Sequence, residues 1–483
     1  MTGKHGGRAR SAAANTDTKT VTPTRRAGHS AGALPIFAVF ALTVLSSAVA
    51  LHFIYMALDT RYQRMWGSDA TQVAVPPAQV STRRAQAKAA DLLGQLVMIG
   101  FDGTKLDGRR TAALVRAIRE GRAGGVLLLE KNVASPSQIR KLTASLQETA
   151  AAGGQPTVLI AVDQEGGAVQ RLSQRNGHPA ASVPSAKAVA SRCKPAEARE
   201  MYRSVACELR RAGININLGP VVDLDIAGVK NPIIGGRARS YSSDAKTVTA
   251  FGAAFIEGHA SAGLATSVKH FPGHGSSLTD SHDGFTDITS QFDTRELEPF
   301  RALAGDGAGA PADMVMTGHL HHAHYATNGE PATLSRRFLT EILRKDMGFA
   351  GVIVSDDLEM GAIRERYGLG EAMIRALNAG VDLLIVSNTY TRNPNLVDTL
   401  HATLSAAIKP GCSKGEEATC VPEARILDAH RRVLALKERL GARLGEPAGQ
   451  SCAAAARPLA EICTGAPDAV EPQTTSWWSW FSG

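Results

Sequence analysis

Short apolar runs alternate with longer amphipathic stretches from about residue 90 to residue 445. Eight runs rich in Val, Ile, Leu and Met have the length of buried strands. They lie at 95–101, 124–130, 157–163, 216–225, 265–271, 313–319, 351–357 and 382–388. The stretches between them have apolar residues at helical spacing, and many end in Gly, as helix C-termini do. The clearest helical stretches lie at 111–121, 137–153, 243–263, 335–348 and 424–441.

Eight strands alternating with helices predict a parallel sheet, and eight is the number that closes a (β/α)8 TIM barrel. A doubly wound open sheet is the structural alternative. Nucleotide-binding sheets of that kind usually carry a GxGxxG or GxxxxGK[ST] fingerprint, and the first strand here is followed by neither. We therefore expect an α/β fold with the barrel over residues 88–445.

A long uncharged segment precedes the predicted barrel. Ala31 to Leu58 runs for 28 residues without Asp, Glu, Lys or Arg, and a bilayer core needs roughly 20 such residues in a helix. Basic residues lie before the segment and few charges follow it, which predicts a cytoplasmic N-terminus and an exported body. Ala48-Val49-Ala50 could mark a cleaved signal peptide, but the apolar run continues to Met56, which favours an uncleaved anchor.

These features give a predicted order of segments along the chain and a location. The segments are a basic cytoplasmic tail (1–33), a transmembrane signal-anchor (34–58), a linker (59–87), the barrel (88–445) and a C-terminal tail (446–483). The predicted location is the cytoplasmic membrane, crossed once, with the barrel on the periplasmic or extracellular side.

Charge and cysteine content narrow the class of protein. The formal net charge is +8, but residues 1–30 hold six basic residues against Asp17 and so supply most of it. Since no basic run interleaved with aromatic residues appears elsewhere, we expect no nucleic-acid partner. The six cysteines agree with export to an oxidising compartment. They fall in sequence-near pairs, although spacing does not fix their connectivity; the pairs are Cys193 with Cys207, Cys412 with Cys420, and Cys452 with Cys463.

Polar residues follow five successive apolar runs. In a barrel the C-terminal ends of the strands carry the chemistry, so these positions are candidates for a site. The residues are Asp163 and Gln164, Asp223 and Asp225, Lys269 and His270, His319, and Asp356 and Asp357. Capping could explain any one of them, but a set at five strand ends favours a functional site.

Two of these stretches suggest the chemistry of glycoside hydrolysis, in which retention of configuration needs a carboxylate nucleophile and a second group that gives and takes a proton. VIVSDDLEM (352–360) supplies Asp356 as candidate nucleophile, whereas Asp357 is better placed to cap the next turn. Asp280 and His282 lie two residues apart, so the carboxylate could orient the imidazole as an acid/base. The alternative for this pair is a solvated Gly-rich loop.

Four motifs resemble glycoside hydrolase family 3. VDQEGGAVQRL, KHFPGHG, the DSH that follows it, and MGFAGVIVSDDLEMGAI occur in the family's order, and the resemblance covers about residues 88–442. The DSH loop is the mark of the β-N-acetylhexosaminidase branch, which acts on N-acetylglucosaminides. The resemblance therefore implies hydrolysis of terminal β-linked N-acetylglucosamine from glycans or peptidoglycan fragments, by double displacement and without a metal or organic cofactor.

The resemblance also assigns roles by position. It implies that Asp356 is the nucleophile, His282 the general acid/base and Asp280 its partner. The implied sugar-binding residues are Asp163, Arg171, Arg239, Lys269 and His270. The segment with the substrate arginine departs from the family pattern: two extra residues separate Gly235 from Arg239, so Arg237 competes for that role.

Three other functions are compatible with the sequence. The histidines of HLHHAHY (319–325), with those around residues 270–282, could serve a metal hydrolase, although the first strand lacks the histidine pair usual in barrel amidohydrolases. A non-catalytic barrel could bind cell-wall glycan. Within the family, the chain could be a β-glucosidase, which the DSH loop disfavours, or a phosphorylase.

Overall fold

A computed structural model describes residues 89–106, 108–305, 311–326 and 329–445, together with Cys452 and Cys463. Eight parallel strands form a closed barrel in which each strand pairs with the next along the chain and the last pairs with the first. We label them β1 (Val97–Gly100), β2 (Gly125–Leu128), β3 (Leu159–Val162), β4 (Ile216–Asn217), β5 (Ala265–Phe271), β6 (Met314–Thr317), β7 (Val352–Asp357) and β8 (Leu383–Val386). The predicted (β/α)8 barrel is confirmed, and each strand lies inside its predicted run.

The strands of the closed barrel are buried on both faces. Apolar residues at β1, β3 and β8 are almost fully inaccessible to solvent, as expected where side chains fill the barrel and helices cover it outside. At the closing seam, Val97 lies opposite Leu384 in the parallel pairing of β1 and β8.

Helices surround the barrel. They are α1 (Ala89–Leu93), α2 (Ala112–Arg119), α3 (Pro136–Ala152), α4 (Ala186–Arg192), α5 (Pro195–Arg211), α6 (Ala245–Ser261), α7 (Leu297–Ala304), α8 (Gly361–Arg364), α9 (Leu369–Ala379), α10 (Leu396–Ala407) and α11 (Glu423–Gly445). The predicted helix at 335–348 is a π-helix, Arg337–Asp346. Local sequence explains the ends of α3, where Ser135 caps the first turn, Pro136 occupies the first position and Gly153 follows the last.

The base of the barrel, at the N-terminal ends of the strands, contains a buried lysine. Lys437 of α11 donates hydrogen bonds to Gln95 Oε1 (2.7 Å) and to the Gly124 carbonyl oxygen (2.6 Å). Burial lowers the pKa of Lys437 to about 7. This contact joins the long last helix to the segments that enter β1 and β2.

The cysteines form three disulfides, of which only one joins sequence neighbours. Cys412 pairs with Cys420, whereas Cys193 pairs with Cys463 and Cys207 with Cys452. The connectivity, which spacing left open, therefore follows the sequence-near pairs for only two of the six cysteines. Cys193 lies two residues before Pro195, the first residue of α5, and Cys207 lies about 18 Å along the helix axis from Pro195. A disulfide joins Cα atoms less than about 7 Å apart, so these two cysteines cannot pair.

The predicted transmembrane segment (34–58) and its flanking segments lie outside the described residues, as does most of the predicted tail at 446–483. Within the described part of the chain, we find no helix that has both the length and the hydropathy needed to cross a bilayer.

Candidate active site

The candidate nucleophile lies at the C-terminal end of β7, where the pairing register with β8 shifts between Val354 and Asp357. Burial by itself raises the pKa of Asp356, but nearby histidines outweigh it and lower the pKa below its ordinary value. They are, in order of effect, His319, His270 and His282. Asp356 is thus held as a carboxylate in a partly enclosed position, the state that a nucleophile requires.

Its neighbour Asp357 supports the backbone, as the sequence predicts. One Asp357 carboxylate oxygen accepts hydrogen bonds from the Glu359 N–H (3.1 Å) and the Ser387 N–H (2.9 Å). Burial raises the pKa of Asp357 to about 6 despite its bonds to Ser387. Asp357 therefore joins the ends of β7 and β8 and leaves Asp356 as the candidate for covalent chemistry.

The candidate acid/base pair forms as expected. His282 Nδ1 lies 2.7 Å from Asp280 Oδ1, and the same oxygen accepts the His282 backbone N–H at 3.0 Å. Burial raises the pKa of Asp280, but the bond to His282 outweighs it, and the pKa falls to about 2. A charged Asp280 fixes the Nδ1–H tautomer, so Nε2 is the nitrogen directed to proton exchange with a substrate.

The loop that carries this pair rests on the segment that follows Asp356. The Gly361 N–H donates to the His282 carbonyl oxygen (3.0 Å), and the Ala362 N–H donates to that of Ser281 (3.2 Å). A Cβ atom at Gly361 would lie 2.6 Å from the backbone of His282 and Asp283. Glycine is required here because the two backbones approach too closely for a side chain.

The predicted sugar-binding charges form one cluster on the other side of the barrel mouth. Lys269 Nζ lies 2.9 Å from Asp163 Oδ1 and 2.7 Å from Glu165 Oε1. Arg239 donates to both oxygens of Glu165 at 2.8 Å, and Arg171 lies 3.3 Å from Asp163. The structure thus brings together Asp163, Arg171, Arg239 and Lys269 and adds Glu165, which sequence reasoning missed.

Glu165 is an almost fully buried carboxylate with two cationic partners. Burial raises its pKa, but Arg239 and Lys269 outweigh this and lower the pKa well below its ordinary range. Glu165 therefore remains charged and fixes both cations in place. Their remaining N–H groups can then donate hydrogen bonds to sugar hydroxyls. Its signal in the sequence is its position two residues after Asp163, in the same VDQEGG motif.

Arg239, and not Arg237, lies in this cluster. Arg239 Nη2 is 3.4 Å from His270 Nε2, which links the cluster to β5. Arg237 belongs to a short 3-10 turn, Gly235–Arg237, and lies within electrostatic range of Asp283, beside the acid/base loop. The two arginines therefore face different parts of the barrel mouth.

His270 is oriented by Asp223, whose role sequence reasoning did not assign. Asp223 Oδ2 lies 2.7 Å from His270 Nδ1, and Asp223 Oδ1 accepts the backbone N–H groups of His270 (3.0 Å) and His274 (2.9 Å). Burial raises the pKa of Asp223, but His270 outweighs it and lowers the pKa. Asp223 thus holds the turn after β5 and directs His270 Nε2 towards Arg239.

The rest of the KHFPGHG turn is structural. Burial lowers the pKa of His274 to about 4, and its Nε2 lies 3.1 Å from the Ser281 hydroxyl. Buried Glu296 accepts the N–H groups of Gly275 (2.7 Å) and Ser276 (3.2 Å). Asp280 and His282 therefore remain the pair of this region that is placed for proton transfer.

Two histidines of HLHHAHY have hydrogen-bond partners far apart in the sequence. His319 Nδ1 lies 2.8 Å from the Thr333 hydroxyl and its Nε2 lies 2.9 Å from the Asp357 carbonyl oxygen, whereas His321 bonds to the Glu330 carbonyl oxygen (3.2 Å). Among the described residues, no three His, Cys, Asp or Glu side chains are grouped as metal ligands. The geometry therefore gives the metal-hydrolase alternative no support.

Comparisons with known proteins agree with this arrangement. Residues 90–436 match the family model described as the glycosyl hydrolase family 3 N-terminal domain. A curated β-hexosaminidase of Stenotrophomonas maltophilia is 36% identical over 331 residues, which are 66% of this chain and 90% of that protein.

Solved structures show the same similarity. A family 3 β-N-acetylglucosaminidase from Paenibacillus is 35% identical with a TM-score of 0.63, and the match covers 74% of this chain and 64% of that one. A β-N-acetylhexosaminidase from Beutenbergia cavernae is 29% identical with a TM-score of 0.62, over 73% of this chain and 99% of that one.

Proposed function

Because the chain belongs to glycosyl hydrolase family 3, we propose that it is a β-N-acetylhexosaminidase that releases terminal β-linked N-acetylglucosamine from glycans. The names of its relatives in Stenotrophomonas, Paenibacillus and Beutenbergia support this substrate class. The observation that carries the proposal is the Asp280–His282 pair, held by backbone hydrogen bonds on the segment that follows Asp356.

The proposed reaction is a double displacement with retention of configuration. Asp356 attacks the anomeric carbon while protonated His282 gives its Nε2 proton to the leaving glycosidic oxygen, which breaks that C–O bond. Neutral His282 then takes a proton from water, and the resulting hydroxide attacks the glycosyl-enzyme and releases Asp356. Asp280 stays charged throughout and stabilises the imidazolium form of the ring.

The cluster around Glu165 supplies the proposed binding site for the sugar. Lys269 and Arg239 carry N–H groups that can donate to hydroxyl oxygens, and Asp163 can accept from hydroxyl groups. These charges are already paired with one another before any sugar binds. Such preorganisation reduces the ordering that substrate binding requires.

We also propose that the enzyme is anchored by segment 34–58 and acts outside the cytoplasm on peptidoglycan fragments or other oligosaccharides. The length of the uncharged segment and the basic residues before it support this topology. Three disulfides within the described residues also support it, because disulfides persist in oxidising compartments. Cell fractionation with protease accessibility of the barrel tests it, and a protected cytoplasmic barrel would refute it.

Hydrolysis of p-nitrophenyl N-acetyl-β-glucosaminide by wild type and Asp356→Asn tests the activity. We expect release by the wild type and a loss of several orders of magnitude in the variant. NMR of the first product should show the β-anomer. Absent release, or equal release by both proteins, would contradict the hydrolase, whereas an initial α-anomer would contradict only the retaining mechanism.

A further inference from the structure

An exposed aromatic residue lies at the mouth of the barrel in the loop that follows β8. Tyr390 is 37% exposed, and the guanidinium carbon of Arg364 lies 4.1 Å from the centre of its ring. A guanidinium at this distance from a phenol ring is a favourable cation–π contact. Tyr390 is thus supported by Arg364 and still accessible to solvent.

The backbone on both sides of Tyr390 is fixed by one buried carboxylate. Glu359 is 3% exposed and accepts the N–H groups of Thr389 (2.9 Å) and Thr391 (3.0 Å), one on each side of Tyr390. The Thr391 hydroxyl also donates to Glu359. These charge-assisted bonds hold the tip of the loop in one conformation.

The base of the same loop is closed by a reciprocal pair. Asn388 Nδ2 donates to the Asn393 carbonyl oxygen, and the Asn393 N–H donates to Asn388 Oδ1, both at 2.9 Å. Asn388 and Arg392 have φ angles of 52° and 48°, a region that costs free energy in residues with side chains. A strained and cross-linked loop that presents an aromatic ring to solvent is typical of a ligand-binding surface.

Tyr390 is connected through Arg364 to the segment that holds the acid/base loop. Arg364 ends α8, whose first residue, Gly361, donates to the His282 carbonyl oxygen. Burial raises the pKa of Tyr390, Arg364 opposes this rise, and the charges of Asp357 and Asp283 add to it. These aspartates directly follow the candidate nucleophile and the acid/base in the sequence, so Tyr390 lies within electrostatic range of the segments that carry both.

We propose that Tyr390, supported by Arg364, is the stacking platform for the sugar ring of a saccharide leaving group. The inference rests on the proposed function, in which His282 protonates the glycosidic oxygen and the leaving group therefore lies on the His282 side. Sugar-binding sites are lined by aromatic rings with a few polar groups, and a ring fixed in advance binds without an ordering cost.

Two substrates with the same N-acetylglucosaminyl group test the proposal. N,N′-diacetylchitobiose has a sugar as leaving group, whereas N-acetyl-β-glucosaminyl fluoride has no ring to stack. In the full chain, Tyr390→Ala should lower the ratio of kcat/KM for the disaccharide to kcat/KM for the fluoride by about 5- to 10-fold. Tyr390→Phe, which keeps the ring, should retain the wild-type ratio within about twofold.

Phe285 provides the matched control, because it is equally exposed at the mouth and has Arg366 4.0 Å and His321 5.2 Å from its ring. Phe285→Ala should change the ratio less than about twofold. An unchanged ratio in Tyr390→Ala, or an equal fall in Phe285→Ala, would overturn the assignment. Failure of the wild type to hydrolyse the fluoride would instead overturn the proposed function, so the two failures are distinguishable.

Discussion

The backbone N–H of Gly361 donates to the carbonyl oxygen of His282 at 3.0 Å, and this bond ties the acid/base loop to the segment that follows the nucleophile. The two catalytic candidates are 74 residues apart in the sequence, yet His282 is itself one partner of this contact and Asp356 lies five positions before the other, Gly361. Their relative position therefore depends on a close backbone approach that only glycine permits.

Gly361→Ala should impair catalysis more than it impairs folding. Its Cβ would lie 2.6 Å from the backbone of His282 and Asp283, so the loop must move. Moving a catalytic group by about 1 Å costs about 10- to 100-fold in kcat/KM. Steady-state kinetics on an aryl N-acetylglucosaminide, together with thermal unfolding, measure both effects.

The matched control is Gly368→Ala, because nothing lies within 4 Å of a Cβ at Gly368. It should retain wild-type kcat/KM within about twofold. Equal losses in the two variants would show that the Gly361 contact does not position the loop.

His282→Ala should separate the two chemical steps. We expect kcat/KM to fall by about 10²- to 10⁴-fold on substrates with poor leaving groups, and by much less on a dinitrophenyl glycoside, which departs without a proton. Azide should restore turnover by attacking the glycosyl-enzyme and should yield the β-glycosyl azide. His324→Ala changes an exposed histidine of the neighbouring loop and should behave as wild type. No azide adduct would argue against His282 as the base.

The sequence was sufficient to predict the barrel because buried parallel strands read as continuous apolar runs. It also predicted the Asp280–His282 pair, since two residues of one loop need no tertiary contact to meet. Glu165 escaped prediction because its two partners, Lys269 and Arg239, come from distant segments that only the closed barrel brings together. The disulfide connectivity could not be predicted for the same reason, since Cys207 and Cys452 are 245 residues apart in the sequence.

Glu165→Gln should weaken both sugar binding and folding. The variant leaves Lys269 and Arg239 buried, close together and without their shared carboxylate. Removal of one member of a buried ion pair destabilises a protein by about 3–5 kcal/mol. Chemical denaturation should show this loss, and KM for the aryl glycoside should rise while the anomeric outcome of the reaction stays the same.

Glu371→Gln is the control for charge alone, because the Glu371–Arg375 pair is exposed and an exposed pair contributes about 0–1 kcal/mol. Equal stability of Glu165→Gln and Glu371→Gln would mean that the buried cluster does not support the fold.

Lys437 should make the stability of the barrel depend on pH above neutrality. Its pKa is about 7 in the folded protein and about 10.4 in an unfolded chain. Between these values the unfolded state binds more protons, so the free energy of unfolding should rise as the pH increases from about 7 towards 10. Lys437→Met removes the titrating group, so the free energy of unfolding of this variant should rise less over this pH range. The control Lys345→Met changes an exposed lysine and should show the same rise as the wild type. Chemical denaturation at pH 7, 8 and 9 measures the slope, and parallel slopes in wild type and Lys437→Met would show that Lys437 remains protonated inside the fold.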